Sequence, residues 1–157
     1  MIIIPLNAIH IIFCALFAAI SAQLLKPIRG YILDPNKKWN WRLAIDAGGF
    51  PSSHSAMVTA LAIAVGIHEH FSSTLFAITV VLAIIVIYDA ANVRYYSGQN
   101  IKVTQQLVRD LQDKYPKTFN DPIYDTKLKP ILGHRWIEVL GGILWGVVIA
   151  YIFHLVK

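Results

Sequence analysis

Hydrophobic residues along this chain are grouped into four stretches separated by polar segments. Residues 2–25, 71–88 and 139–156 contain no charged residue. An α-helix rises ~1.5 Å per residue, so each stretch can cross, or nearly cross, a hydrocarbon core of about 30 Å. The fourth stretch, residues 55–67, covers only about 20 Å and spans only if it begins below the membrane surface. The pattern predicts an all-α integral membrane protein, a compact bundle of about four transmembrane helices in a single domain over residues 1–157.

The composition supports this class of protein. Hydrophobic residues make up 56% of the chain and charged residues 15%, which excludes an ordinary soluble domain. No basic residue precedes the first apolar stretch and no small-residue cleavage site follows it, so we expect a retained helix and not a signal peptide. The single cysteine, Cys14, lies within that stretch. It cannot form an internal disulfide, and we expect it to serve in packing.

The positive charge is confined to two segments. Of the 14 lysines and arginines, 13 lie within residues 26–42 and 94–135, and none lies in the connection at residues 68–70. With four crossings, both basic segments share one side of the membrane, and the excess of lysine and arginine predicts that this side is cytoplasmic. We therefore expect a multi-pass protein of the cell membrane with both termini outside. No nucleic-acid motif accompanies the charge, so we expect anionic lipid headgroups as partners and no nucleic acid.

The second basic segment contains a further helical pattern. Within residues 95–132, hydrophobic side chains recur at loosely helical spacing with charged and amide side chains between them. This predicts a cytoplasmic amphipathic helix lying on the membrane surface. Prolines at three later positions, Pro116, Pro122 and Pro130, interrupt the remainder of the segment. The hydrophobic positions of the pattern are Ile101, Leu107, Val108, Leu111 and Tyr115.

Polar residues stand at the cytoplasmic end of every apolar stretch, and the predicted topology brings them to one face of the bundle. Structural roles are open for several of them. Lys26 and Arg42 can extend to lipid headgroups. Ser52 or Ser53 can cap the helix that starts there, and Asp89 can pair with a nearby cation. The full set is Lys26, Arg42, Ser52, Ser53, His54, Ser55, Asp89, Arg94, His134 and Glu138.

The spacing of the last two residues in this set indicates a chemistry. His134 and Glu138 are four residues apart, so on a helix the carboxylate can accept a hydrogen bond from the imidazole ring. That bond fixes the tautomer and leaves a lone pair on the other ring nitrogen, as a nucleophile requires. A second imidazole, His54, can protonate a departing oxygen, while cations and a helix N-terminus hold phosphate. The combination suggests phosphoryl transfer through a phosphohistidine without a metal.

Three segments of the sequence resemble a known superfamily. "GGFPSSHSA" at residues 48–56, "IYDAANVR" at residues 87–94 and "LGHRWIEVLGG" at residues 132–142 are similar to motifs of the phosphatidic acid phosphatase type 2 superfamily, specifically its divergent branch of small membrane proteins. The superfamily includes vanadium haloperoxidases and bacterial acid phosphatases. The resemblance extends from about residue 23 to residue 142, and the three motifs in this order are specific.

The resemblance implies a role for each matched position. Lys26 and Arg42 would hold the phosphate through the first motif, and Ser52 and Ser53 through the second. His54 would act as the acid on the leaving group, and Gly48 and Gly49 would let the backbone approach closely. In the third motif Arg94 would bind phosphate and His134 would attack phosphorus. Glu138 would orient His134, at a position where the family has aspartate. We place Asp89 among the supporting residues.

This chain departs from the standard motifs at several points. Lys26 and Arg42 are more widely separated than in the first motif, and Leu43 replaces the proline after the arginine. Ser53 stands where the second motif has glycine. A whole loop separates Arg94 from His134, whereas the corresponding arginine and histidine are close together in the standard third motif.

These observations lead to one principal hypothesis and two alternatives. The first is a metal-independent hydrolase that cleaves a lipid phosphate monoester or diphosphate, needs no cofactor and is inhibited by vanadate. The second is a non-catalytic membrane protein that binds or transports anionic lipid or phosphate. The third is a metal hydrolase with His54, His134 and Glu138 as ligands, which the surrounding cations disfavour. We therefore predict no metal ligands.

Two further patterns concern packing and the outer face. Small residues recur every four positions in the second and fourth stretches, which permits close helix contact inside the bundle or between two copies. We favour a homodimer. His10 and His154 are expected near the outer face, and His68 and His70 beside Glu69 in a solvated outer turn, where a weak metal site is the alternative. The small residues are Ala56, Ala60, Ala64, Gly142 and Gly146.

Overall fold

The described part of the protein folds as a helical bundle. The computed structural model describes residues 6–36, 38–45, 48–115 and 135–156, with the single residues 118, 121 and 123. Within these ranges there are helices and turns but no strand, which confirms the all-α prediction. The helices are α1 (Leu6–Leu33), a short 3₁₀ helix (Trp41–Ala44), α2 (Ser53–Glu69), α3 (Thr74–Tyr88), a π turn (Asp89–Val93), α4 (Arg94–Lys114) and α5 (Trp136–Leu155).

Three helical segments are long and apolar enough to cross a membrane by length and composition. They are Ala8–Leu33, Thr74–Lys114 and Trp136–Leu155. The fourth predicted crossing is α2, whose 17 residues extend over about 25 Å. Large hydrophobic side chains of α1, α3 and α5 are exposed on the outside of the bundle, where lipid takes the place of water. The protein is therefore an all-α membrane protein with α2 as its short helix.

The short helix α2 is at the centre of the bundle. It packs against α1, α3 and α5, and α1 also packs against α5. Most side chains of the buried core are small, so the helix axes can approach closely. Its members are Ile11, Cys14, Ala18 and Ala22 from α1, Ala56, Ala60, Ala64 and Val65 from α2, and Ile149 and Ala150 from α5.

The predicted small-residue stripes meet each other inside this core. A Cβ atom added at Gly146 would lie 2.5 Å from the Ala56 carbonyl oxygen and 2.9 Å from Thr59 Cβ. A Cβ at Gly142 would collide with the Ser52 carbonyl oxygen. The stripes of α2 and α5 thus serve the interior of one bundle and not a contact between copies, which removes the reason for favouring a homodimer. The dimer itself stays a prediction.

Helices α3 and α4 form one continuous run. The π turn joins them, and the Asp89 N–H approaches the carbonyl oxygens of both Ile85 and Val86. The 41 residues of Thr74–Lys114 extend over about 60 Å, twice the thickness of a hydrocarbon core, so α4 leaves the apolar region. The predicted amphipathic helix is confirmed as a helix. Its position on the membrane surface stays a prediction, and most of the segment after it lies outside the described residues.

We expect Gly146→Leu to destabilise the bundle because its side chain would meet the backbone of α2. Overpacking of this kind costs about 1–3 kcal/mol. The unfolding temperature of the purified protein in detergent measures the effect. Val147→Leu on the outer side of the same helix, where Val147 is 42% exposed, is the matched control. Equal unfolding temperatures for the two variants would contradict the close α2–α5 contact.

Candidate active site

The ends of several helices meet at the end of the bundle where α2 begins. We call this the site end and define it by Lys26, Gly49, Ser52 and Glu138. The Ser52 N–H donates a hydrogen bond to the Glu138 carbonyl oxygen at 2.9 Å. A Cβ atom added at Gly49 would lie 3.6 Å from Lys26 Cδ. Residues from the segments 48–56 and 132–142 therefore come together with Lys26 in the structure.

The turn before α2 depends on its glycines. Gly48 and Gly49 have φ values of 90° and 85°, a backbone conformation that side chains with a Cβ atom disfavour. The turn leads through Phe50 and Pro51 to Ser52, which is the N-cap of α2. These angles show that the two glycines shape the turn. Their predicted role, a close approach of the backbone to phosphate, stays a prediction.

The Ser52 hydroxyl group is fully buried and caps the helix. Its Oγ accepts a hydrogen bond from the Ser55 N–H at 3.3 Å and lies 3.0 Å from Ser55 Oγ. Both serines have no exposed surface. The capping role considered for Ser52 is therefore confirmed, and its contact with phosphate stays a prediction. Ser53, the first residue of α2, is half-buried.

His54 lies in the first turn of α2 and is exposed. It comes directly after the capped turn, so its imidazole ring is at the same end of the bundle as Lys26 and Glu138. Its exposure makes the ring accessible to a ligand that enters from outside the bundle. This placement is compatible with the predicted role of His54 as an acid.

The side chain of Lys26 is 6% exposed. It is the one lysine or arginine that is buried among the residues the structure describes. Burying an ammonium group costs free energy unless negative charge or hydrogen-bond acceptors surround it. The α1 helix continues past it to Leu33, through the buried Pro27, so Lys26 lies on a helix beside the Gly49 turn and not in a loop.

Glu138 caps the first turn of α5. The Arg135 N–H donates a hydrogen bond to Glu138 Oε2 at 3.1 Å, an arrangement that satisfies a backbone donor at a helix start. The predicted nucleophile, His134, lies just outside the described residues, so its orientation by Glu138 stays a prediction. Glu138 has a structural function in addition to the one predicted for it.

The remaining predicted residues lie on neighbouring elements. Arg42 is exposed on the 3₁₀ helix, which packs against α1 through Leu43 and Gly30. Asp89 is half-buried at the start of the π turn, which contacts α5. Arg94 is the first residue of α4, and its side chain lies outside what the structure describes. The elements that carry Arg42, Asp89 and Arg94 thus lie toward the same end of the bundle. The contacts of the two arginines with phosphate stay predictions.

One residue that sequence reasoning missed contributes to the site end. The Arg29 guanidinium lies 5.3 Å from the centre of the Phe50 ring, a distance at which cation and ring attract each other. Its spacing of three residues from Lys26 on one helix was the available signal. Ser55, which was among the polar residues predicted at this end, lies three residues after the cap and bonds to Ser52 through both its N–H and its hydroxyl.

Comparison with known proteins agrees with these motifs. A family model described as the divergent PAP2 family matches residues 8–149. An uncharacterized membrane protein of Bacillus subtilis (strain 168), YuiD, is 38% identical over 149 residues, which cover 88% of this chain and 92% of the relative. No solved structure matches the chain.

We expect Ser52→Ala to lower the free energy of unfolding by about 1 kcal/mol, since it removes the cap of α2. Ser53→Ala, one residue further, is the matched control and should have a smaller effect. Chemical or thermal unfolding of both variants in detergent provides the comparison. A Ser53 variant as unstable as the Ser52 variant would refute the assignment of the cap.

Proposed function

Because the chain belongs to the divergent PAP2 family, we propose that it is a membrane phosphatase that hydrolyses a lipid phosphate monoester or diphosphate. The observation that carries the proposal is the meeting of Lys26 with residues of the segments 48–56 and 132–142 at the site end. Lys26, the Gly49 turn, Ser52 and Glu138 are linked there by packing and by the Ser52–Glu138 hydrogen bond. A buried cation next to the start of a helix favours a phosphate group.

The proposed reaction has two steps. A ring nitrogen of His134 attacks phosphorus, the bond from phosphorus to the lipid oxygen breaks, and His54 donates a proton to that oxygen. Water then attacks the phosphohistidine and gives a proton to His54, the phosphorus–nitrogen bond breaks, and phosphate leaves. Lys26, Arg42 and Arg94 stabilise the charge on the non-bridging oxygens in both steps. The reaction needs no metal, and vanadate is expected to inhibit it as a mimic of phosphate.

A groove beside the site end supports a lipid as the substrate. It has a volume of about 560 Å³, within the usual range for ligand pockets. The groove runs between α1 and α5 and reaches the turn before α2. A lipid chain in the groove would place its phosphate at the turn, where Arg29 adds positive charge. Residues lining it include Leu25, Ile28, Phe50, Pro51, Leu144 and Val148.

The wall of the groove is fixed by a polar contact inside the bundle. The Trp145 indole N–H donates a hydrogen bond to Ser21 Oγ at 2.9 Å. Trp145 also lines the groove, so this bond holds a large apolar surface against α1. A rigid groove is better suited than a mobile one to hold a chain in a single position.

A second candidate function is favoured by one observation. The Ser52 hydroxyl and one Glu138 carboxylate oxygen are both engaged in capping helices, so their participation in catalysis requires further contacts. A protein that binds or transports anionic lipid or phosphate needs the cations and the groove but not a nucleophile. Vanadate binding without phosphate release from any lipid phosphate would favour this function over the phosphatase.

We expect His134→Ala to abolish phosphate release from lipid phosphates while the protein remains folded in membranes. The proposed intermediate cannot form without the ring nitrogen. Purified wild-type protein and the variant, assayed side by side with a panel of lipid mono- and diphosphates, give the result. His70→Asn at the other end of the bundle is the control and should retain activity. Chelator should not lower activity at a temperature at which the protein stays folded, since the proposed reaction uses no metal. Full activity of the His134 variant would exclude the nucleophile.

The groove generates a separate prediction. Leu144→Trp should fill part of it and raise the KM for a long-chain lipid phosphate several-fold, since the chain loses its place between α1 and α5. The KM for a short, water-soluble phosphate ester should not change. Val147→Trp, on α5 but not on the groove, is the matched control. Equal effects of Leu144→Trp on both substrates would show that the chain binds elsewhere.

A further inference from the structure

Three histidines from three different helices meet at the other end of the bundle. His10 lies near the start of α1, His68 in the last turn of α2 and His154 in the last turn of α5. All three line one small cavity, together with Cys14 and Phe153. We call this group of three imidazoles the histidine end. Because α2 is about 25 Å long, the histidine end is remote from the site end.

Two of the rings are already placed like ligands of one ion. His68 Nε2 lies 3.2 Å from His10 Nδ1. Two nitrogen atoms bound to one tetrahedral metal ion at ~2.0–2.1 Å are about 3.3 Å apart. The Phe153 ring packs against His10, with 5.5 Å between the ring centres, and so restricts its rotation. The facing nitrogens therefore need little movement to bind the same ion.

His154 is the available third ligand. Among the described residues no three metal-ligating side chains already surround one point, so a complete site requires movement of one side chain. His154 lines the same cavity and is exposed, so its ring can turn without repacking the core. Neutral imidazole nitrogen is a good ligand for Zn²⁺, Cu²⁺ and Ni²⁺.

The charge and protons at this end are compatible with a cation. Residues 6–25 and 66–88 contain no lysine or arginine, in contrast to the site end. The nearest basic residue in the sequence, Lys157, lies outside the described residues.

In the hydrogen-bonded pair of His10 and His68, one of the two facing nitrogens carries a proton. Metal binding requires a lone pair on both facing nitrogens. The ring that carries the proton there therefore has to move it to its other nitrogen.

From this geometry we infer that the histidine end binds one divalent transition-metal ion per chain. His10 Nδ1, His68 Nε2 and a ring nitrogen of His154 are the protein ligands, and water completes the coordination. The ion links α1, α2 and α5, so it binds to the folded bundle and not to the unfolded chain. Binding of this kind stabilises the folded state. The site is separate from the proposed phosphatase reaction, whose residues it does not share.

Calorimetric titration of the full chain with Zn²⁺ in detergent, after treatment with chelator, tests the inference. We expect saturable binding of one ion per chain and a higher unfolding temperature with the ion present. His10→Ala, His68→Ala and His154→Ala should each weaken binding about tenfold or more. His70→Asn is the matched control, since His70 is at the same end but does not line the cavity, and its affinity should equal that of the wild type.

A second measurement needs no variant. Co²⁺ bound to the wild-type protein should give the visible absorption typical of a tetrahedral ion with nitrogen ligands, and Zn²⁺ should displace it. No saturable binding to the wild-type protein, or unchanged affinity in the His10 and His68 variants, would overturn the metal site. Unchanged affinity in the His154 variant would overturn the assignment of the third ligand.

Discussion

The hydrogen bond from the Ser52 N–H to the Glu138 carbonyl oxygen joins the first turns of α2 and α5. It exists because Gly142, one turn further along α5, has no side chain to separate the two backbones. Gly146 continues the contact against Ala56. Residues that are distant in the sequence, including the turn that carries His54 and the helix that begins just after His134, are thereby held at one end of the bundle.

The two ends of this closely packed bundle carry different side chains and therefore differ in chemistry. Small residues at the centre allow three helices to meet, and the cations and histidines described above lie toward the two ends of the bundle. Lys26 and the start of α2 make one end suitable for an anion. His10 and His68 make the other suitable for a cation. The apolar groove begins at the first of these ends, which connects the proposed phosphate site to the lipid around the protein.

Much of this arrangement could be predicted from the sequence, and the exceptions have physical reasons. The apolar stretches located four helices, but hydropathy ended the first one at Leu25 while α1 continues to Leu33. A charged side chain such as Lys26 interrupts an apolar run without breaking helical hydrogen bonds. The π turn at Asp89–Val93 leaves no mark in hydropathy. The spacing of Ala56 and Gly146 predicted close contact, but spacing alone does not identify the partner helix.

The candidate site was predictable to a similar extent. Charge distribution placed Lys26, Ser52 and Glu138 on one side of the membrane, and the structure puts them at one end of the bundle. The hydrogen bonds of these residues could not be predicted from the sequence, because a serine that caps a helix and a serine that binds phosphate have the same sequence pattern. Arg29 was missed because its spacing from Lys26 has meaning only if α1 continues beyond the apolar stretch.

Trapping of the covalent intermediate is the sharpest test of the proposed phosphohistidine at His134. The protein is mixed with a lipid phosphate carrying a labelled phosphoryl group, quenched in alkali, which preserves phosphohistidine, and digested for mass spectrometry. We expect the label on His134, within the segment that leads into α5. Rapid phosphate release with the label on another residue, or on none, would contradict it.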